Sequence, residues 1–154
     1  MGFWYDVGMQ LYWKTSHTTF DLKYHLVWIT KYRKPILEGK IAYRVRELIR
    51  EICGAHNIQI IRGHVSKDHI HIFISMPPQI SVSKIAQYLK GKTSRKLLEE
   101  NSFLKKKFWG SHLWGRGFFA VSSGSITDEM IMEYIEKQDE DAEKRGDEFT
   151  LIEA

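Results

Sequence analysis

Eight residues in the middle of the chain, His69-Ile-His-Ile-Phe-Ile-Ser-Met76, place an isoleucine or methionine at every second position. A period of two is the period of a β-strand, whose successive side chains leave on opposite faces. Ile70, Ile72, Ile74 and Met76 therefore turn to a core, while His69, His71, Phe73 and Ser75 stand on the other face. A strand with one apolar face needs neighbouring strands and a covering layer, so the chain is committed to a sheet packed on one side. The same alternation sets two imidazoles side by side, a few ångströms apart, which suits two ligands of one divalent metal. Two partly exposed histidines on a solvated face fit the pattern as well.

The surrounding pattern supplies the rest of such a sheet. Residues 21–30, with Leu-Lys-Tyr-His-Leu-Val-Trp-Ile, read as a strand, and residues 58–65 form a hairpin with 69–76 through Ser66-Lys67-Asp68. Ile41, Val45, Leu48, Ile49 and Ile52 recur at three and four residues, which predicts a helix between Lys40 and His56. Pro77 and Pro78 end the hairpin, and Ser81 caps a second helix reaching about Glu99. A fourth strand is predicted over 114–122, weakened at its start by Gly115 and Gly117. Ser125, with Asp128 three residues on, opens a third helix over 125–141. The order βαββαβ plus one helix predicts an α+β fold: a ferredoxin-like split βαβ unit with an antiparallel sheet, helices on one face, and a C-terminal helix bearing Tyr134. Residues 1–17 show no period and read as an irregular aromatic arm, and residues 142–154 as an acidic tail. The 154 residues are expected to form one domain.

Charge narrows the function. Before Ser125 there are 20 Lys and Arg against 8 Asp and Glu, and from Ser125 onward 3 against 11. A basic body with aromatic residues suits a nucleic acid, because cations neutralise phosphates and rings stack on unpaired bases. The single Cys53 excludes an intramolecular disulfide, and no apolar run approaches the roughly 20 residues needed to cross a bilayer. No signal-peptide pattern stands at the N-terminus, so a cytoplasmic protein without membrane partners is expected.

On the third helix, Tyr134 and Gln138 stand four apart and share a face. A tyrosine among Met130 and Ile131 is usually core, but Gln138 one turn on offers a side-chain carbonyl as a third, oxygen ligand beside two histidines. The run Lys90-Gly-Lys-Thr-Ser-Arg-Lys96 groups Lys90, Lys92, Arg95 and Lys96 on the second helix, Lys105, Lys106 and Lys107 are read in the loop beyond it, and with Arg116 these are candidate DNA contacts. It is no phosphate-binding loop, since the upstream glycine is missing and the segment is helical. His25, His56, His64 and His112 read as structural and are left out of the site, although the neighbouring strand could bring His64 near the pair, and Trp28 and Phe73 read as either stacking platforms or core.

Five ordered segments carry a resemblance: Tyr24-His-Leu-Val-Trp-Ile-Thr-Lys-Tyr-Arg-Lys-Pro35, Asp68-His-Ile-His-Ile-Phe73, Tyr88-Leu-Lys-Gly-Lys-Thr-Ser94, Trp114-Gly-Arg-Gly-Phe-Phe-Ala120 and Tyr134-Ile-Glu-Lys-Gln138. In order and spacing they resemble the single-tyrosine HUH transposases of the smallest bacterial and archaeal insertion sequences. The resemblance implies a homodimer that exchanges its tyrosine helices, a Mg²⁺ or Mn²⁺ ion on His69, His71 and Gln138, and Tyr134 as nucleophile. It also implies single-stranded DNA with hairpin ends as substrate. An HUH nicking enzyme of the relaxase or replication-initiator kind shares the histidines and the tyrosine, but such domains are usually longer. A noncatalytic RNA-binding ferredoxin-like module explains charge and rings but leaves His69, His71 and Gln138 without a role.

Overall fold

The computed structural model describes residues 2–7, 10–108, 112–122, 130 and 133–137. Its centre is a four-stranded sheet. Strand β4 (Leu22–Ile29) leads into helix α1 (Gly39–Ala55), then β5 (Gln59–Val65), β6 (His69–Met76), helix α2 (Val82–Glu100) and β7 (Phe119–Ser122). The spatial order is β5-β6-β4-β7 with every neighbour antiparallel, the ferredoxin-like arrangement that the element order predicts.

The alternation in β6 decides which face is covered. Ile70, Ile72, Ile74 and Met76 are buried, and with Leu26 and Trp28 of β4 they form one core with Val45, Leu48, Ile49 and Ile52 of α1 and Ile85, Leu89 and Leu97 of α2. Each such side chain contributes about 1.5–3 kcal/mol on burial, so this layer carries most of the stability. Trp28, fully buried, is core and not a platform. Ser81 caps α2 as expected, its Oγ accepting from the Lys84 amide at 3.1 Å.

Three expectations are corrected. Residues 1–17 are not an irregular arm: β1 (Phe3–Val7) and β2 (Gln10–Lys14) pair antiparallel, and β3 (Thr19–Phe20) extends them to a second, three-stranded sheet. Both faces of this hairpin are aromatic, which erased the period of two from the sequence. The fourth strand is shorter than 114–122, because Trp114 makes only an isolated bridge to Thr30 and a loop intervenes in which Gly117 takes a φ of +73°. The lysines 105–107 lie in a short helix, α3 (Ser102–Lys107), rather than a loop.

Strand β5 carries an irregularity with a large effect on its side chains. Gln59 and Ile60 pair with Ser75 and Ile74, but Arg62 then pairs with Phe73, so Ile61 is an extra residue. Such a bulge shifts the alternation by one position. Arg62 and His64 consequently stand on the face opposite the helices.

Candidate functional site

The sheet face away from α1 and α2 is built of cross-strand rows. His64, His71, Val27 and Phe119 form one row, Arg62, Phe73, His25 and Val121 the next, and His69 stands beside Ile29. Directly paired residues share a face and lie about 5 Å apart at Cβ. Four histidines thus occupy one surface.

Each histidine of the predicted pair has its own partner. His69 Nδ1 lies 2.9 Å from Asp68 Oδ1, and Arg33 Nη2 donates to Asp68 Oδ2 at 3.2 Å. Burial pushes the Asp68 carboxyl up, but the His69 contact and the Arg33 guanidinium outweigh it and leave the group below its ordinary value. With Nδ1 directed at a carboxylate, His69 keeps Nε2 for another ligand. His71 Nε2 lies 3.0 Å from His25 Nδ1, and the His25 ring stacks on Phe73 at 4.2 Å. Burial first, then the charges of His25, His64, His69 and Arg62, push the His71 imidazole down to about 4. A neutral imidazole is the form that binds a metal.

The segment Thr30-Lys-Tyr-Arg-Lys34 explains how Arg33 reaches Asp68. Tyr32 and Arg33 have φ of 62° and 52°, a left-handed conformation that residues with a Cβ rarely hold. The turn is tied to the start of β6 by the Thr30 amide, which donates to the Asp68 carbonyl at 2.9 Å, and is closed on itself by Thr30 Oγ1, which donates to the Lys34 carbonyl at 2.8 Å. The sequence between Thr30 and Pro35 therefore orients His69 from a distance.

Tyr134 lies in a helical segment at residues 133–137 and packs on the same open face of its own chain. Ile135 forms a buried cluster with Val27 and Ile29, Phe119 and Tyr134 pack against that cluster, and the Tyr134 ring lies 5.3 Å from that of Phe119. Val27 is the cross-strand partner of His71. The Tyr134 hydroxyl is buried without a hydrogen-bond partner, and burial pushes the phenol up to about 12. The remainder of the predicted helix over 125–141, including Ser125, Gly124 before it and Gln138, lies outside the described residues, as does the tail.

Helix α2 serves a second purpose. Lys90 Nζ donates to the carbonyls of Gly115 and Gly117 at 2.8 and 2.7 Å, Trp114 Nε1 donates to Thr93 Oγ1 at 2.9 Å, and the Leu113 amide donates to Ser94 Oγ at 3.2 Å. The loop between Leu113 and Gly117 is pinned by four bonds, leaving Arg116 exposed. Lys90 is thus turned inward to backbone carbonyls, whereas Lys92, Arg95 and Lys96 are exposed on α2.

Two histidines of this face were left out of the predicted site. His25 lies in a nearly continuous apolar run, which hid that it alternates onto the face of Val27 and Ile29. His64 comes opposite His71 only through the bulge at Ile61.

No cluster of three or more His, Cys, Asp or Glu able to hold a metal ion occurs among the described residues. The pair His69 and His71, one with a free ring nitrogen and one held neutral, fits as two nitrogen donors that need an oxygen donor to complete a site. No helix among the described residues is long and apolar enough to cross a membrane.

Comparison with known proteins places this geometry. A family model described as "Transposase IS200 like" matches residues 18–138. The transposase for insertion sequence element IS200 of Salmonella typhimurium is 35% identical over 136 residues, 88% of each chain. A solved structure of a candidate transposase from Deinococcus radiodurans R1 superposes with a TM-score of 0.75 at 28% identity, covering 81% of this chain and 96% of that one. The structure of a REP-associated tyrosine transposase bound to a REP hairpin shares the fold, with a TM-score of 0.53 at 12% identity over 87% and 76% of the two chains.

Proposed function

Since the chain belongs to the IS200-like transposase family, we propose that it cuts and rejoins single-stranded DNA at the ends of an insertion sequence through a covalent bond to Tyr134. The observation that carries this reading is the meeting of Tyr134 with the histidine face: its ring lies against that of Phe119 and packs on the cluster of Val27, Ile29 and Ile135, and Phe119, Val27 and His71 stand in one cross-strand row. The Tyr134 oxygen attacks the phosphorus, the new bond leaves a 5′-phosphotyrosine, and the bond to the 3′ oxygen breaks to release a 3′ hydroxyl. Attack of a second 3′ hydroxyl reverses the exchange and reseals a strand, so no nucleotide cofactor is consumed.

His69, His71 and Gln138 would hold Mg²⁺ or Mn²⁺, which neutralises charge on a nonbridging oxygen of the scissile phosphate when bound. The protein's own share is orientation. Asp68 and Arg33 hold His69, and His25 holds His71. In its docked position the Tyr134 hydroxyl is buried, so attack on a phosphate requires Tyr134 to leave its apolar seat beside Val27, Ile29 and Phe119.

The substrate is an unpaired strand flanked by a hairpin, in keeping with the hairpin held by the REP-associated relative. Arg116, Lys92, Arg95 and Lys96 contact its phosphates, and Lys90 holds the loop that presents Arg116. The functional unit is a homodimer in which Tyr134 docks on the equivalent surface of a second copy, as it docks on its own sheet in the single chain.

Incubating the protein with single-stranded oligonucleotides spanning the DNA that flanks its coding sequence, with Mg²⁺, tests the proposal on a denaturing gel. A protein-linked fragment is expected from the wild type and none from Tyr134→Phe. Mixing His69→Ala with Tyr134→Phe chains after subunit exchange restores cleavage if the site forms across the dimer, and inactivity of a verified mixed dimer sinks that arrangement.

A further inference from the structure

The residues before Thr18 lie outside the stretch that the family model matches, and they build most of the second sheet. Alternation sorts the side chains of this hairpin by face. Trp4 pairs with Trp13, and Trp13 with Phe20. These form the inner side: the two indoles meet edge to face at 5.1 Å, Trp13 is buried, and Trp4 Nε1 donates to the Asn57 carbonyl at 3.0 Å. The hairpin is thereby held to the body by its tryptophans.

The outer side has a different composition. Phe3 pairs with Lys14 and Tyr5 with Tyr12, so three rings and a lysine share one face. Phe3 is 57% exposed and Tyr5 47%. Lys14 Nζ stands 5.1 Å above the Tyr5 ring. The anchor through Trp4 and Trp13 involves neither Phe3 nor Tyr5, and exposed rings side by side mark a surface that meets something.

The position of this surface indicates what it meets. Lys23 belongs to the β4 face that carries His25, and its Nζ lies 5.3 Å from the centre of the Tyr12 ring while paired with Asp21. The outer face of the hairpin and the histidine face therefore join at Lys23. From its partner Ser75 to His71 is four residues along β6, about 13 Å. The exposed Arg62 lies between them, opposite Phe73.

We infer that the outer face of the N-terminal hairpin is a stacking platform for unpaired bases, holding the strand that continues from the scissile phosphate on the histidine face. This rests on the proposed function above. Rings with ammonium groups beside them fit single-stranded DNA, in which every base offers a free face and every linkage a charge. A duplex keeps its bases stacked and unavailable. A second copy meeting this face by twofold symmetry would set the same patch against itself, and because that patch holds Lys14 and no carboxylate, self-association offers the lysine no counter-charge.

The test measures binding of fluorescein-labelled oligothymidine to the full chain as a function of salt. Phe3→Ala with Tyr5→Ala weakens binding by about tenfold per ring, and the slope of log affinity against log salt is unchanged because stacking releases no counterions. Tyr5→Phe, which keeps the ring, binds as the wild type does. Lys14→Ala instead flattens the slope by about 0.7. Unchanged affinity in the double variant, with wild-type binding and cleavage intact, overturns the platform alone. The platform is equally overturned if the double variant changes only the sedimentation of the free protein, since the rings would then be a contact between copies. Failure of the wild type to bind any single strand overturns the proposed function as well.

Discussion

The two faces of strand β6 are made by the same eight residues and obey opposite rules. Towards the helices, Ile70, Ile72, Ile74 and Met76 are fully packed and carry no polar atom that needs a partner. Away from them, His69, His71 and Phe73 are half-buried among imidazoles, a guanidinium and a phenol whose hydroxyl has no partner. The first face meets its requirements within the chain. The second leaves some unmet, and a buried polar atom without a partner is costly unless it serves when something binds. Stability and chemistry are thus separated by the thickness of one strand.

Substitutions on either side break or sharpen that contrast. The largest expected effect is from Tyr134→Phe, which removes the attacking oxygen and abolishes the protein-linked product while leaving the fold intact or more stable by on the order of 1 kcal/mol, since it deletes an unpaired buried hydroxyl. A clear loss of stability in denaturant would show that the hydroxyl has a structural partner. Next, Ile74→Ala should cost about 2–5 kcal/mol of unfolding free energy, whereas His69→Ala should stop cleavage at nearly unchanged stability. Equal destabilisation by both would erase the distinction between the faces.

A smaller effect concerns His25, which touches no substrate in the proposed mechanism but holds His71. His25→Ala should weaken Mn²⁺ binding by about 10–100-fold, read directly by paramagnetic resonance of the free ion. Unaltered Mn²⁺ affinity would reduce His25 to packing. The smallest effect is a pH dependence. The docked Tyr134 phenol is raised from 10 to about 12, so the contribution of its docking is fully present below pH 10 and is lost as pH rises from 10 to about 12. Phenolate absorbance should show one tyrosine titrating late in the wild type and not in Tyr134→Phe.

The packed face was the legible one. A period of two in β6 and of three to four in α1 is enough to place a core, because burial depends on each residue's own position along its element. The chemical face was legible only where it repeats within one strand, as at His69 and His71. The approach of His25 and His64 depends on which strands are neighbours and in what register, and no local pattern carries that. The hairpin escaped for the opposite reason: Phe3, Trp4 and Tyr5 are aromatic whichever way they point, so the sequence does not distinguish anchor from surface. Lys90 looked like a phosphate contact because a lysine in a basic run does not reveal that two glycine carbonyls lie within its reach.

Ile61, 41% exposed, is the one residue that β5 carries in excess of its partner strand, and it works as an expansion joint. Deleting it would leave Ile60 opposite Ile74 and Arg62 opposite Phe73, the partners they already have, in a ladder without a bulge. Deleting Gly63, two residues on, has no such relief. If the bulge persists, His64 slides opposite Ile72 and turns to the helices. If the bulge closes to absorb the loss, His64 keeps its place beside His71, but Arg62 falls opposite Ile72 and turns inward instead. Either outcome sets a polar side chain against packed isoleucines, where burial without a partner is costly. A length change that the strand absorbs at one position is therefore ruinous two positions away, and descendants of such a chain can gain or lose a residue in β5 only at its joint.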